Sequence, residues 1–269
     1  IYCIGDAAVK HNYVSDTDVM LALAGPANRQ ARIAADNIAG RDSIFKGVQG
    51  TFVLKVFGIT AAGTGLNEKT LDRLGIEYYK VYTHPFSSAT YYPGSAMIDM
   101  KLLYAPDGKI LGAQAVGAKG VDKRIDVIAA VMALGGTVYD LERLELCYAP
   151  PYGSAKDAVN MTGFVAANRL RGDSDHVYWN DPVLLDENSF VVDVRTAEEF
   201  VQGTIPNAVN IPVDEIRKRI DEFPRDRPIY LLCRVGLRAY IAERILRGHG
   251  ITDFYNITGG YLTCRKSRA

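Results

Sequence analysis

The chain has 269 residues, 48% of them hydrophobic, which is enough for a sizeable core in each of two domains. Its 31 Lys and Arg balance 31 Asp and Glu, so no overall field draws in nucleic acid or an anionic membrane surface. No apolar run reaches bilayer-spanning length and nothing at Ile1 reads as a signal peptide; Cys3, Cys147, Cys233 and Cys264 lie too far apart for paired metal ligation, so no metal is expected and a reducing cytoplasm fits best.

Residues 1–6, Ile-Tyr-Cys-Ile-Gly-Asp, read as a short apolar strand ending in a Gly-Asp turn. Residues 21–30 then lead into an alanine-rich helix over 31–40. Together they resemble the segment that closes the FAD-binding domain of pyridine nucleotide-disulfide oxidoreductases. The resemblance implies that Asp6 accepts a hydrogen bond from the ribityl chain of the flavin. It also implies that the helix, entered through Leu23 and Ala24, points its N-terminus at the pyrimidine ring, where the helix dipole favours developing negative charge. Asn28 and Arg29 then lie near a coenzyme A channel, with Arg29 facing a pyrophosphate. A plain packing helix is the competing reading. The Gly-rich dinucleotide fingerprint that opens a flavin domain is absent from the sequence. The chain therefore reads as the rear portion of a larger enzyme, with the NAD(P)H site upstream, and the polypeptide alone is expected to hold no FAD.

Strand composition recurs at residues 51–57, 76–82, 96–104 and 109–116, and Pro106-Asp107-Gly108 turns the last two into a hairpin. Asn67 reads as the N-cap of a helix over 68–74, while Ile125, Ile128, Ala129 and Met132 recur at helical spacing. The pattern predicts an antiparallel sheet with helices on one face. It resembles the dimerisation domain of the same oxidoreductases, which implies a homodimer in which each subunit completes the site of the other.

In residues 146–157, Leu-Cys-Tyr-Ala-Pro-Pro-Tyr-Gly-Ser-Ala-Lys-Asp, the prolines hold an extended entry and Ser154 with Asp157 reads as a capping box for a helix running to about residue 170. The Tyr-Ala-Pro-Pro-Tyr signature and the lysine after it are similar to coenzyme A disulfide reductases and related NADH oxidases. The resemblance implies that Tyr148 reaches the flavin across the dimer, that Lys156 meets an anionic substrate, and that Tyr91 or Tyr92 supplies a second phenol. Phenols that only cap a wet interface are the alternative. Cys147 reads as a packing residue, and His11 and His84 as surface or hydrogen-bonded loop residues rather than metal ligands.

After a linker at 171–175, residues 190–195 read as a buried strand breaking into an Asp193/Arg195 structural ion pair, and 204–212 as a proline-bracketed turn and short strand. Cys233-Arg-Val-Gly-Leu-Arg238 follows the apolar run 229–232 and precedes a helix-like run. The thiol then sits among backbone N–H groups at a helix N-terminus with Arg234 and Arg238 beside it, a setting for a thiolate. Four residues separate Cys233 from Arg238, one fewer than in cysteine phosphatases. The stretch resembles the rhodanese family, whose cysteine carries a persulfide and hands sulfane sulfur between thiols. That family usually has His and Gly where this chain has Thr204 and Asn207. An inert cysteine at a strand end is the competing reading. Cys264, among Arg265, Lys266 and Arg268, reads as part of a disordered basic tail, with receipt of sulfur from Cys233 as the alternative.

The fold class expected is α/β and α+β: a remnant of an FAD-binding domain (1–44), an antiparallel-sheet dimerisation domain (45–171) and a rhodanese α/β domain with a parallel sheet (172–269). The function implied is part of an FAD- and NAD(P)H-dependent reductase of coenzyme A disulfide, coenzyme A persulfide or polysulfide, with a fused sulfur-carrying domain. A stand-alone sulfurtransferase with a dimerisation scaffold and a non-catalytic rhodanese-like binding module are the alternatives.

Overall fold

The computed structural model describes residues 1–267. The first stretch holds a small antiparallel pair, β1 (Lys10–Asn12) and β2 (Thr17–Val19), and helix α1 (Ala24–Ile38). The strand expected over residues 1–6 does not form. Residues 1–4 are irregular and 5–7 make a single 3-10 turn, because no neighbouring strand among the described residues offers them a ladder. The carbonyls of Gly5 and Ala8 accept from the Lys10 ammonium instead, at 2.6 and 3.0 Å. Helix α1 starts seven residues earlier than its alanine-rich part, with Pro26 in the first turn, where a missing N–H costs nothing.

The second unit is a five-stranded antiparallel sheet of β3 (Phe52–Val56), β4 (Ile59–Gly65), β5 (Tyr79–Thr83), β6 (Ile98–Tyr104) and β7 (Ile110–Gly117), in the order β3-β4-β7-β6-β5. Strand β4 was not anticipated, because Ala-Ala-Gly-Thr-Gly carries weak strand propensity; it forms because β3 and β7 pair with it on both sides. Gly112 is required at its crossing, since a Cβ there would overlap the Leu66 carbonyl.

Alternation along β6 sends Ile98, Met100, Leu102 and Tyr104 into one cluster with α3 (Val121–Ala133), α4 (Val138–Arg143) and α5 (Ala158–Leu170). Leu103 points the other way, into a second cluster with Leu66, Leu111 and Leu71 of α2 (Glu68–Leu74). Helices therefore cover both faces, not the single face expected. Asn67 caps α2 as read from sequence, accepting from the Thr70 N–H at 2.9 Å.

The third unit is a parallel sheet of β8 (His176–Val177), β9 (Phe190–Asp193), β10 (Val209–Asn210), β11 (Ile229–Leu232) and β12 (Phe254–Ile257), ordered β10-β9-β11-β12-β8. Helices α7 (Leu237–Gly248) and α8 (Gly260–Ser267) pack on it, and the short, unburied α6 (Ala197–Val201) follows β9. Central β11 is buried on both faces, Ile229 and Leu231 in one cluster and Tyr230 and Leu232 in the other, as an unbroken apolar run in a covered parallel sheet requires. Its carboxyl end delivers Cys233.

Cys264 is buried on α8 among Leu184, Tyr230 and Ile257, so the disordered tail expected there is replaced by a packed helix through Ser267. Arg268 lies outside the described residues. Among the described residues no helix is long and apolar enough to cross a membrane.

The two sheets are tied together directly. The Tyr82 N–H donates to Thr258 Oγ1 at 3.2 Å, the His84 ring bridges Asp99 (2.6 Å) and Thr263 (2.7 Å), and Lys266 binds both Asp99 oxygens. His84 is thus hydrogen-bonded, as expected, in the joint between the two units.

Candidate active site

Cys233 leaves β11 into a tight loop whose last residue before α7 is Gly236, at φ 108, a conformation that favours glycine. That turn brings the Gly236 N–H to 3.0 Å from Cys233 Sγ. A helix N-terminus and a backbone N–H thus face the sulfur. The start of α8 presses on the loop from behind. The N–H groups of Tyr261 and Leu262 donate to the carbonyls of Cys233 (2.8 Å) and Arg234 (3.0 Å), and a Cβ on Gly260 would strike the loop backbone.

Arg238 does not face the thiol as a free cation. Its guanidinium forks onto Glu199 at 2.6 and 2.8 Å, and that hydrogen-bonded pairing raises the arginine while holding Glu199 below the usual carboxylate range. Glu199 is itself the N3 residue of the Thr196 capping box that starts α6, so a local helix signal places it. Arg234 is exposed. Asp193 and Arg195 form the buried structural pair expected, with Arg195 reaching Gly203 O at 2.6 Å and lying over the Tyr261 ring. Thr204 donates to Asp193 Oδ2 at 2.7 Å, and Asn207 sits at φ 62, the left-handed region that suits Gly or Asn.

Below the loop, the Glu243 carboxylate on α7 is wholly buried, and burial pushes it up to about 7. His176 beside the same floor is buried too, which pushes it down to about 3. Glu243 is raised above its unfolded value, so its contribution is fully present below that value and is lost as pH rises through about 7. His176 is depressed and acts in the opposite sense, its contribution being lost as pH falls through about 3. Urea unfolding of the native chain and of Glu243→Gln separates the two. The stability of the native chain minus that of the variant is expected to fall by about 3 kcal/mol between about pH 5 and about pH 8. A difference that stays flat over that interval contradicts the assignment.

The tyrosine segment is organised by a residue the sequence did not single out. Arg124, buried on α3, donates to Asp157 Oδ2 (2.7 Å), Ser87 O (2.9 Å) and Gly120 O (3.2 Å). It thereby clamps the turn carrying Tyr91 and Tyr92 against the loop carrying Tyr148 and Lys156. A second tie runs from the Ala89 N–H to Pro150 O. Asp157 alone is the N-cap of α5, accepting from the Val159 N–H at 3.1 Å; Ser154 reaches Ser88 O instead and is not part of a capping box. Tyr148 and Tyr91 meet at the surface, and their hydrogen bond raises the Tyr148 phenol. Tyr92 is exposed next to them. Cys147 is exposed rather than packed, and the prolines do not hold the extended entry expected: Pro150 and Pro151 lie in a turn closed by the Tyr152 N–H on Ala149 O at 2.9 Å. Lys156 points toward the third unit and lines the hollow between the two sheets.

Asp6, Leu23, Ala24, Asn28 and Arg29 lie on the first turn of the chain and the first two turns of α1. No side chain caps α1, so its first-turn N–H groups remain available to an outside acceptor, which fits the edge of a bound flavin. Arg29 lies over the Phe45 ring, 5.6 Å from its centre, and borders a hollow with Tyr13 and Gln49. His11 is exposed near Asp16 and Asp18. Among the described residues no cluster of His, Cys, Asp and Glu could hold a metal.

Residues 52–159 match the family model of the pyridine nucleotide-disulphide oxidoreductase dimerisation domain, and 182–265 match that of the rhodanese-like domain. A coenzyme A disulfide reductase of Staphylococcus aureus (strain bovine RF122 / ET3-1) is 40% identical over 168 residues, which is 62% of this chain and 38% of the relative. The reduced CoADR-RHD of Bacillus anthracis superposes with a TM-score of 0.94 at 47% identity, over 97% of this chain and 47% of that one. An NAD-dependent persulfide reductase from A. fulgidus superposes with a TM-score of 0.88 at 34% identity, over 97% of this chain and 48% of that one. The chain thus spans about half the length of these two solved relatives and 38% of the S. aureus enzyme.

Proposed function

We propose that this chain, which joins a pyridine nucleotide-disulphide oxidoreductase dimerisation domain to a rhodanese-like domain, works within an FAD- and NAD(P)H-dependent reductase of disulfides or persulfides. Coenzyme A disulfide, coenzyme A persulfide and polysulfide are the substrate class, and Cys233 carries the sulfane sulfur. The observation that supports this most directly is the Cys233 thiol at the end of the central strand, 3.0 Å from the Gly236 N–H. In the transfer step the Cys233 thiolate attacks the outer sulfur of an R–S–SH donor. A new S–S bond forms to Cys233 as the donor's own S–S bond breaks, and RS⁻ departs with the electron pair.

When bound, FAD would supply the electrons of the reductive half, and Asp6, Leu23 and Ala24 would border it. Asn28 and Arg29 face the anionic part of coenzyme A. Tyr148, paired with Tyr91 and next to Tyr92, donates a proton or hydrogen bond to the departing thiolate, and Lys156 and Arg234 meet substrate charge. The tyrosines act across a homodimer. Support for a covered surface comes from edge strand β3, where Phe52, Val53, Leu54 and Val56 are all exposed, and from Phe57 at the hairpin tip, 97% exposed. The domains are taken as 1–44, 45–171 and 172–269, with the join near 171–175.

Incubating the full chain with thiosulfate or glutathione persulfide, then mapping peptides by mass spectrometry, tests the sulfur-carrying role. The peptide containing Cys233 is expected to gain one sulfur atom, while Cys3, Cys147 and Cys264 gain none. Sulfur on another cysteine and none on Cys233 overturns the assignment.

A further inference from the structure

Helix α8 serves two neighbours at once. Its first turn backs the sulfur loop, and the N–H groups of Tyr261 and Leu262, which have no acceptor within the helix, are spent on the Cys233 and Arg234 carbonyls at 2.8 and 3.0 Å. The same turn lies against β5, the edge strand of the antiparallel sheet, so closely that a Cβ on Gly259 would strike the Cβ of Tyr82. The sulfur loop is therefore backed by a helix that a different sheet holds in place.

The grip is concentrated on one side chain. His84, just past β5 and 4% exposed, hydrogen-bonds through Nε2 to Thr263 Oγ1 at 2.7 Å and through Nδ1 to Asp99 on β6 at 2.6 Å. An imidazole whose Nδ1 is fixed by a carboxylate presents Nε2 in one direction, here onto α8. Thr263 passes the contact on, because its hydroxyl donates to the Gly259 carbonyl at 3.1 Å and ties the helix to the turn that enters it. Lys266 binds the same Asp99, but from the exposed far end of the helix.

We propose that His84 is a positioning residue for the sulfur carrier: held by Asp99, it fixes Thr263 and, through Thr263, the first turn of α8 that backs the Cys233 loop. This role rests on Cys233 as the carrier proposed above. The rate at which iodoacetamide modifies Cys233 in the full chain, read by peptide mass, tests it without requiring sulfur transfer, while sulfur uptake by the native chain tests the carrier role on its own.

Variants whose folding is checked by circular dichroism separate positioning from packing. A Gln amide reaches as far as Nε2 and keeps the Thr263 bond, whereas an Asn amide reaches only as far as Nδ1 and keeps the Asp99 bond. His84→Ala and His84→Asn are expected to slow Cys233 modification about tenfold and to displace the Tyr261 and Leu262 amide signals in nuclear magnetic resonance spectra. His84→Gln is expected to recover most of the rate and both signals. Thr263→Val, which removes only the hydroxyl, is expected to match His84→Asn, and it carries the test if His84→Ala does not fold. Lys266→Ala loosens the same joint away from the loop and is expected to leave the rate within about twofold. His84 has no positioning role if His84→Gln is as slow as His84→Ala, if His84→Asn or Thr263→Val reacts like the native chain, or if Lys266→Ala slows the thiol as much as His84→Ala.

Discussion

Cys233→Ser is expected to reduce transfer of sulfur from thiosulfate or a persulfide to cyanide to the background of the uncatalysed reaction. The serine hydroxyl keeps the shape of the loop and the approach of the Gly236 N–H, but it supplies no thiolate and cannot hold a persulfide. Arg238→Ala is the informative companion. Because Arg238 is forked onto Glu199, removing it takes away a positive charge near the sulfur and also leaves an unpaired carboxylate beside the loop. The double change Arg238→Ala with Glu199→Ala is therefore expected to transfer sulfur faster than Arg238→Ala alone, a coupling that rates of cyanide-dependent thiocyanate release measure directly. If Cys233→Ser retains transfer, the sulfur is carried elsewhere. If the double variant is no faster than the single one, Glu199 has no bearing on the charge around the thiol.

The sulfur loop was legible because it is local. An apolar strand, a cysteine, a glycine that can take positive φ and a helix are all contiguous, and physics at that range depends on neighbours in sequence. The same holds for the Asn67 cap and for β6 and β7 flanking their Pro-Asp-Gly turn. What sequence left hidden was decided at a distance. Strand β4 takes its conformation from β3 and β7, and Leu103 found α2 on the far face of the sheet because Leu66, Leu71 and Leu111 gather there. Strand formation at residues 1–6 failed for the converse reason, since an extended segment without a partner has no ladder to join. Cys264 was misread because charge in the last residues suggested a solvated tail, while Leu262 and Cys264 alternate into the core from the same short helix. At the tyrosine segment the signature was visible, but the buried guanidinium that fastens it lies on another helix, and no spacing rule joins Arg124 to Asp157.

That clamp carries the largest stability effect expected in the chain. Asp157→Ala leaves the Arg124 guanidinium buried without a counter-charge, an uncompensated charge worth about 3–5 kcal/mol, and also removes the N-cap of α5, worth about 1 kcal/mol more. Asp157→Asn keeps a cap acceptor and loses only the charge, so it is expected to fall between the two. Urea unfolding followed by far-UV circular dichroism measures the loss, and an Asp157→Ala cost below about 1 kcal/mol would show that Arg124 does not depend on the pair. The single tryptophan, Trp179, sits in the parallel-sheet unit and reports on that half separately. The Tyr82–Thr258, His84–Thr263 and Lys266–Asp99 bonds join the two units, so a defect in α5 should reach the far sheet through them. The Trp179 transition in Asp157→Ala is therefore expected to move to lower urea together with the circular dichroism transition. A Trp179 midpoint that stays in place while the other falls would mean that the two sheets unfold as separate bodies, and that the bonds between them add little to the stability of either.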